Sequence, residues 1–155
     1  MTFICVIPAR KNSKRVKNKN IIKINGKSLI SISIKEVKKS KFIDNKNIFV
    51  STDSEIISEE AKRCGASVPF LRPKSLGLDN TKMYKVLNHF TKKISKTVKF
   101  KYVIMLQPTS PLRTSKHIDE ACNIFLKNLN KAKKLVSVSK LSKNFFPTKI
   151  IIEKN

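Results

Sequence analysis

Phe3, Ile4, Cys5, Val6 and Ile7 form an unbroken apolar run. A strand exposed on one face would alternate with polar residues, so this run fits a strand covered on both faces, as in a parallel sheet flanked by helices. It predicts a strand over residues 3 to 8, and further short apolar runs predict strands near 47 to 51, 67 to 71, 101 to 106 and 134 to 139. Stripes of helical period fall between them. Ile57, Ala61 and Cys64 mark one helix, from about Ser54 to Cys64, with Glu55, Glu59 and Glu60 early, Lys62 and Arg63 late, and Gly65 as its stop. Met83, Val86, Leu87, Phe90 and Ile94 mark another. Ile118, Cys122, Phe125 and Leu129 mark a third, begun by a Thr114 or Ser115 cap. The stretch 28 to 39 is ambiguous, because Ile30, Ile32 and Ile34 alternate like a strand while Ile30, Ile34 and Val37 share a helix face. A parallel crossover needs a dozen or so residues, which decides for a helix. Alternating strands and helices give an α/β, Rossmann-like fold, with a mainly parallel sheet and helices on both faces. With no repeat or linker in view, residues 1 to 155 read as one domain.

The segment after the first apolar run, Ile7 to Asn20, carries Arg10, Lys11, Lys14, Arg15, Lys17 and Lys19 together with Asn12 and Ser13. It begins at the carboxyl end of a strand, where open α/β folds bind ligands. A loop so rich in cationic donors suits a polyanion such as a nucleotide triphosphate, and the alternative is a solvated basic turn. The glycine pattern of a Walker loop is absent. The net charge of +24 would ordinarily suggest nucleic acid or an anionic membrane. That reading is discounted, because Lys, Asn and Ile are all in excess, as in AT-rich coding, and Arg occurs only at Arg10, Arg15, Arg63, Arg72 and Arg113. Nor are aromatic residues interleaved with the basic ones to stack bases. Cys5, Cys64 and Cys122, odd in number and on apolar positions, read as reduced core cysteines. Met1 to Pro8 lacks the basic start and length of a leader or a membrane span, so the expected location is cytoplasmic.

Four ordered segments resemble one known family. IPARKNSKRVKNKN from Ile7, VSTDSEIISEEAKRCGA from Val50, PFLRPKSLGLD from Pro69 and MLQPTSPLRTSKHIDEA from Met105 are together similar to the acylneuraminate cytidylyltransferases over roughly residues 3 to 139. That family activates sialic acids and related nine-carbon sugar acids with CMP. The resemblance implies the nucleotide-diphospho-sugar transferase fold, C-terminally truncated here and matching the N-terminal two-thirds of the family. It implies transfer of CMP from CTP to a nonulosonic acid with loss of pyrophosphate. Arg10, Ser13 and Lys19 would hold the triphosphate, with Arg10 and Lys19 neutralising charge during the reaction, and Asn20 would contact the nucleotide near its ribose or base. Arg72 would help position the cytosine, against the plainer alternative of a surface residue. Gln107 would face the sugar acid, with Thr109, Ser110 and Arg113 shaping that side. The cofactor implied is Mg²⁺, but the family's metal-binding aspartates and most of its dimer contacts fall in the part that would follow residue 155. No metal ligand is therefore expected in this chain, and a homodimer is expected only with that part present. The alternative reading is a truncated, non-catalytic CTP-binding remnant or half of a split enzyme.

Two departures from the pattern matter. Lys11 and Asn12 stand where many relatives have glycines, and Asn12 is the expected site of a left-handed turn. Lys82 and Met83 stand where relatives have small hydroxyl residues. Asp53, in Ser-Thr-Asp, reads as the cap of the following helix, with a functional carboxylate as the alternative. His89 and His117 fall in helices without metal-ligand spacing.

Overall fold

The computed structural model describes residues 2–13, 16 and 18–138. Lys14, Arg15 and Lys17 of the basic loop, the end of the strand expected at 134 to 139, and the apolar run from Ile150 to Ile152 lie outside the described residues.

In chain order the strands and helices are β1 (Phe3–Pro8), β2 (Lys23–Ile24), β3 (Lys27–Ser28), α1 (Leu29–Val37), β4 (Ile48–Ser51), α2 (Glu55–Arg63), α3 (Met83–Ile94), β5 (Tyr102–Met105) and α4 (Ser115–Lys127). Short 3-10 turns lie at Lys19–Ile21, Asn45–Asn47 and Lys74–Gly77. The apolar run is the central strand. β1 pairs in parallel with β4, Cys5 opposite Ile48, and with β5, Cys5 opposite Ile104, giving the order β4-β1-β5. All six of its residues are buried. Side chains alternate across the sheet, so Phe3, Cys5 and Ile7 meet α1, α2 and α4 through Ile30, Ile34, Ile57, Ala61, Ile118 and Cys122. Ile4 and Val6 face the other way, onto Phe90 and Ile94 of α3. Both faces are covered, as the run without polar residues requires.

The expected helices at 28–39, 54–64, 83–94 and after Thr114 are all present, within a residue or two. The strand expected at 67 to 71 is reduced to a single parallel bridge, Phe49 to Ser67. Pro69 sits in the middle of this stretch and Pro73 follows it, and a proline cannot donate to a ladder. It still runs beside β4, since Arg72 N–H donates to Thr52 O at 2.7 Å. Residues 134 to 138 form no strand; they are exposed, and Leu135, Val136 and Val138 find no sheet among the described residues to join. The hairpin β2–β3 was not expected. Its turn residues Asn25 and Gly26 have φ of 49° and 76°, the doubly left-handed turn that Asn-Gly favours.

Candidate functional site

Beyond β1, Ala9 N–H donates to Ser51 O at 3.0 Å, which carries the sheet pairing one residue further and launches Arg10 from the strand's carboxyl end. The loop returns through Asn18, whose φ is 54°. The left-handed residue of the described loop is thus Asn18 and not Asn12. The 3-10 turn that follows places Lys19 and buries Asn20, and Asn20 Nδ2 donates to Arg10 O at 3.0 Å. That bond closes the loop at its base.

Arg10, Ser13, Lys19, Asn20, Arg72 and Gln107 all line one cavity of about 260 Å³. They arrive from the loop after β1, the segment beside β4 and the loop after β5. Leu76, Leu78, Asp79, Thr81 and Met83 complete the wall opposite the basic loop. Of the two departures, Met83 faces the cavity, and Thr81 Oγ1 donates to Ser75 O at 3.3 Å. In the loop after β5, Thr109 also lines the cavity, and its Oγ1 donates to Gln107 Oε1 at 3.4 Å. Arg113 braces the loop from behind, Nη2 donating to Gln107 O at 3.3 Å, and burial holds its guanidinium below the usual range.

Two arginine–aspartate pairs set the electrostatics. Arg10 Nη1 meets Asp79 Oδ1, each side chain about a third exposed. Arg72 Nη2 donates to Asp53 Oδ1 at 3.4 Å with the side chains 3% and 11% exposed. Burial pushes the Arg72 guanidinium down, and the Asp53 charge works against that push. Arg72 Nε is buried without an acceptor among the described residues. Arg72 is therefore a buried cavity residue, and the surface alternative falls away.

Asp53 is not the cap of α2. Ser54 holds that position, its Oγ accepting from Ile57 N–H at 3.4 Å. Asp53 is left to accept from Lys11 N–H at 2.8 Å as well as from Arg72. Two capping residues stand side by side at Asp53-Ser54, and a boundary shift of one residue reassigns the carboxylate. His117 Nδ1 accepts from Thr114 N–H at 3.2 Å, which makes it part of the start of α4. His89 packs edge-on to Phe70 at 5.7 Å, and burial, then Lys93 and Arg72, hold its imidazole below the ordinary range. A broader hollow of about 660 Å³ lies outside α4. Of the two carboxylates that line it, Asp119 and Glu120, Asp119 is taken by Ser40 Oγ at 2.6 Å and Lys41 N–H at 3.1 Å, which tie α4 to the segment after α1.

A model of the cytidylyltransferase family matches residues 4–151. The chain belongs to the cytidylyltransferase family. The N-acylneuraminate cytidylyltransferase of Streptococcus agalactiae serotype V is 39% identical over 125 residues, 81% of this chain and 29% of that protein. The CMP-N,N'-diacetyllegionaminic acid synthase of Legionella pneumophila is 38% identical over 143 residues, 92% of this chain and 60% of that protein. The pseudaminic acid cytidylyltransferase of Campylobacter jejuni is 36% identical over 132 residues, 84% of this chain and 56% of that protein. The solved structure of CMP:2-keto-3-deoxy-manno-octonic acid synthetase complexed with CTP shares the fold, with a TM-score of 0.70 at 19% identity over 83% of this chain and 49% of that one. The chain thus spans between 29% and 60% of the length of these curated relatives.

Among the described residues of this cytidylyltransferase-family chain, no cluster suited to holding Mg²⁺ unaided comes together. No group of three His, Cys, Asp or Glu side chains comes together among the described residues. The carboxylate lining the cavity, Asp79, faces Arg10, and Asp53 is engaged by Lys11 and Arg72. Such a donor set does not fit a protein-held hard cation, which wants several free oxygens.

Proposed function

We propose that the cavity binds CTP and that the chain serves transfer of CMP from CTP to a nonulosonic acid. The observation that carries this reading is convergence. Six residues named from the sequence resemblance, from three segments far apart in the chain, line one cavity at the carboxyl ends of parallel strands, where this class of fold binds its ligands. In this reading Arg10, Ser13 and Lys19 take the phosphates, Asn20 and Arg72 the nucleoside, and Gln107 the side from which the sugar acid approaches. The cavity is at the small end of ligand pockets, which run from roughly 300 Å³, so it holds part of a nucleotide and leaves the rest at its mouth. The reaction is attack of the anomeric hydroxyl on the α-phosphate with pyrophosphate leaving, a step served by positioning and charge neutralisation.

The second reading is a CTP-binding unit that does not turn over alone, and what supports it is the engagement of Asp79 and Asp53 by Arg10, Lys11 and Arg72. In both readings residues 1 to 155 belong to one cytoplasmic domain, a homodimer goes with the family's C-terminal part where that is present, and neither a specific nucleic acid nor a membrane is the target. No helix among the described residues is long and apolar enough to cross a membrane. Calorimetric titration with CTP, UTP, ATP and GTP tests the reading. Preference for CTP is expected, and equal affinities would reduce the cavity to a generic phosphate site. Pyrophosphate release with CTP and each sugar acid then separates enzyme from binding unit.

A further inference from the structure

We propose that Asp53 is a positioning residue that sets the base selectivity of this cavity by holding Arg72 in one orientation. The inference rests on the CTP reading and adds a residue which that reading leaves out. Three separate segments meet on the Asp53 carboxylate. Oδ1 accepts the backbone N–H of Lys11 at 2.8 Å and Nη2 of Arg72 at 3.4 Å. On its other side Oδ2 lies so near Gly77 that a Cβ there would stand 2.4 Å away. The glycine makes room for the carboxylate, and the carboxylate ties the basic loop to the Arg72 segment from behind the cavity wall.

The geometry matters because of what remains on Arg72. With Nη2 on Asp53, its Nε stays buried with no acceptor among the described residues, in a side chain that lines the cavity. A guanidinium is a rigid planar fork, so fixing one corner fixes the direction of every other donor. Base edges differ in where their acceptors lie, and a donor discriminates among them only if its direction is set before binding. Without the Asp53 contact the guanidinium is free to turn, and the charge of Arg10 nearby, which already disfavours a charged Arg72, gives it reason to do so.

Two readouts on the full 155-residue chain test the proposal. The first needs no nucleotide: the ¹⁵N NMR signal of Arg72 Nε–H, assigned by its loss in Arg72→Lys, should be sharp and slow to exchange in the wild type. Asp53→Asn, which keeps the shape and the Oδ1 acceptor shared by Lys11 and Arg72 but removes the charge that anchors the guanidinium, should broaden or abolish it. The second is calorimetry with CTP, ATP and inorganic tripolyphosphate. Asp53→Asn should weaken CTP by about tenfold and the other two by less than about twofold, the loss of one charge-assisted contact. Gly77→Ala, which crowds the same carboxylate, should shift the CTP-to-ATP ratio in the same direction. An unchanged Arg72 signal in Asp53→Asn overturns the proposal, and so does equal weakening of all three ligands, the mark of a merely structural role. A wild type without preference for CTP sinks the CTP reading and the selectivity claim together, and the Arg72 signal then still decides whether Asp53 holds the guanidinium.

Discussion

Arg10 and Arg72 line the same cavity and each faces an aspartate, yet the pairs differ in kind. Arg10 and Asp79 are about a third exposed, so water and salt screen them and their mutual attraction is worth under about 1 kcal/mol. Arg72 and Asp53 are almost fully enclosed, so losing either partner strands a charge away from water. The exposed pair is exchangeable and the enclosed pair is fixed. In the proposed CTP reading, a phosphate group replaces Asp79 on Arg10 while Asp53 remains on Arg72.

The largest effect that follows is on stability. Asp53→Ala should cost about 3 kcal/mol in urea unfolding, as expected when one partner of an enclosed pair is removed. The double variant Asp53→Leu with Arg72→Met should recover much of that loss, because no charge is stranded. A cost for the single variant no larger than that of a surface substitution would erase the distinction between the pairs. Next in size, Arg10→Ala and Lys19→Ala should each weaken CTP about tenfold in calorimetry, with unfolding free energy changed by less than about 1 kcal/mol. Equal damage to folding would place Arg10 with Arg72. Smaller still, Asp79→Asn should tighten CTP by no more than about fivefold, the worth of an exposed pair given up on binding. Weaker binding in that variant would mean that Asp79 helps to hold the ligand.

The smallest effect concerns a carboxylate between the two extremes. Glu60 accepts from exposed Arg63 at 2.7 Å and from buried Ser28 Oγ at 2.7 Å, and these bonds, Arg63 first, hold its carboxyl below the ordinary 4.5. A lowered folded-state pKa contributes stability above 4.5 that is lost as pH falls through the folded value. Thermal melts should therefore drop on acidification below that point, and Glu60→Gln should flatten the slope. An identical slope in the variant would leave the acid response to other carboxylates.

What the sequence revealed follows from the range of the forces involved. The unbroken apolar run marked β1 as a strand covered on both faces, three helices followed from their apolar stripes, and the helix at 28 to 39 followed from the length a parallel crossover needs. The site residues Arg10, Ser13, Lys19, Asn20, Arg72 and Gln107 were legible through resemblance, and their meeting in one cavity needed the fold. Asp53 was misread because Asp and Ser are both good caps and the choice between them depends on one residue of helix boundary. Asn25-Gly26 is the dipeptide of a tight hairpin turn, but the strands it joins are only two residues each, too short for an apolar pattern to show. The segment around Ser67 to Leu71 had strand composition, but its prolines and position beside β4 left only one bridge. The exchange between Asp79 and Arg10 is a matter of three-dimensional distance, and no spacing in the chain announces it.

The central claim is that this cavity holds CTP with its phosphates on the exchangeable arginine and its base by the fixed one. A crystal structure of the 155-residue chain soaked with CTP tests it most directly. The account predicts triphosphate density on Arg10, Ser13 and Lys19, the Arg10–Asp79 contact broken, the Arg72–Asp53 contact kept, and cytosine beside Arg72. CTP bound elsewhere, or bound here with Asp79 still on Arg10 and Asp53 released from Arg72, would contradict it.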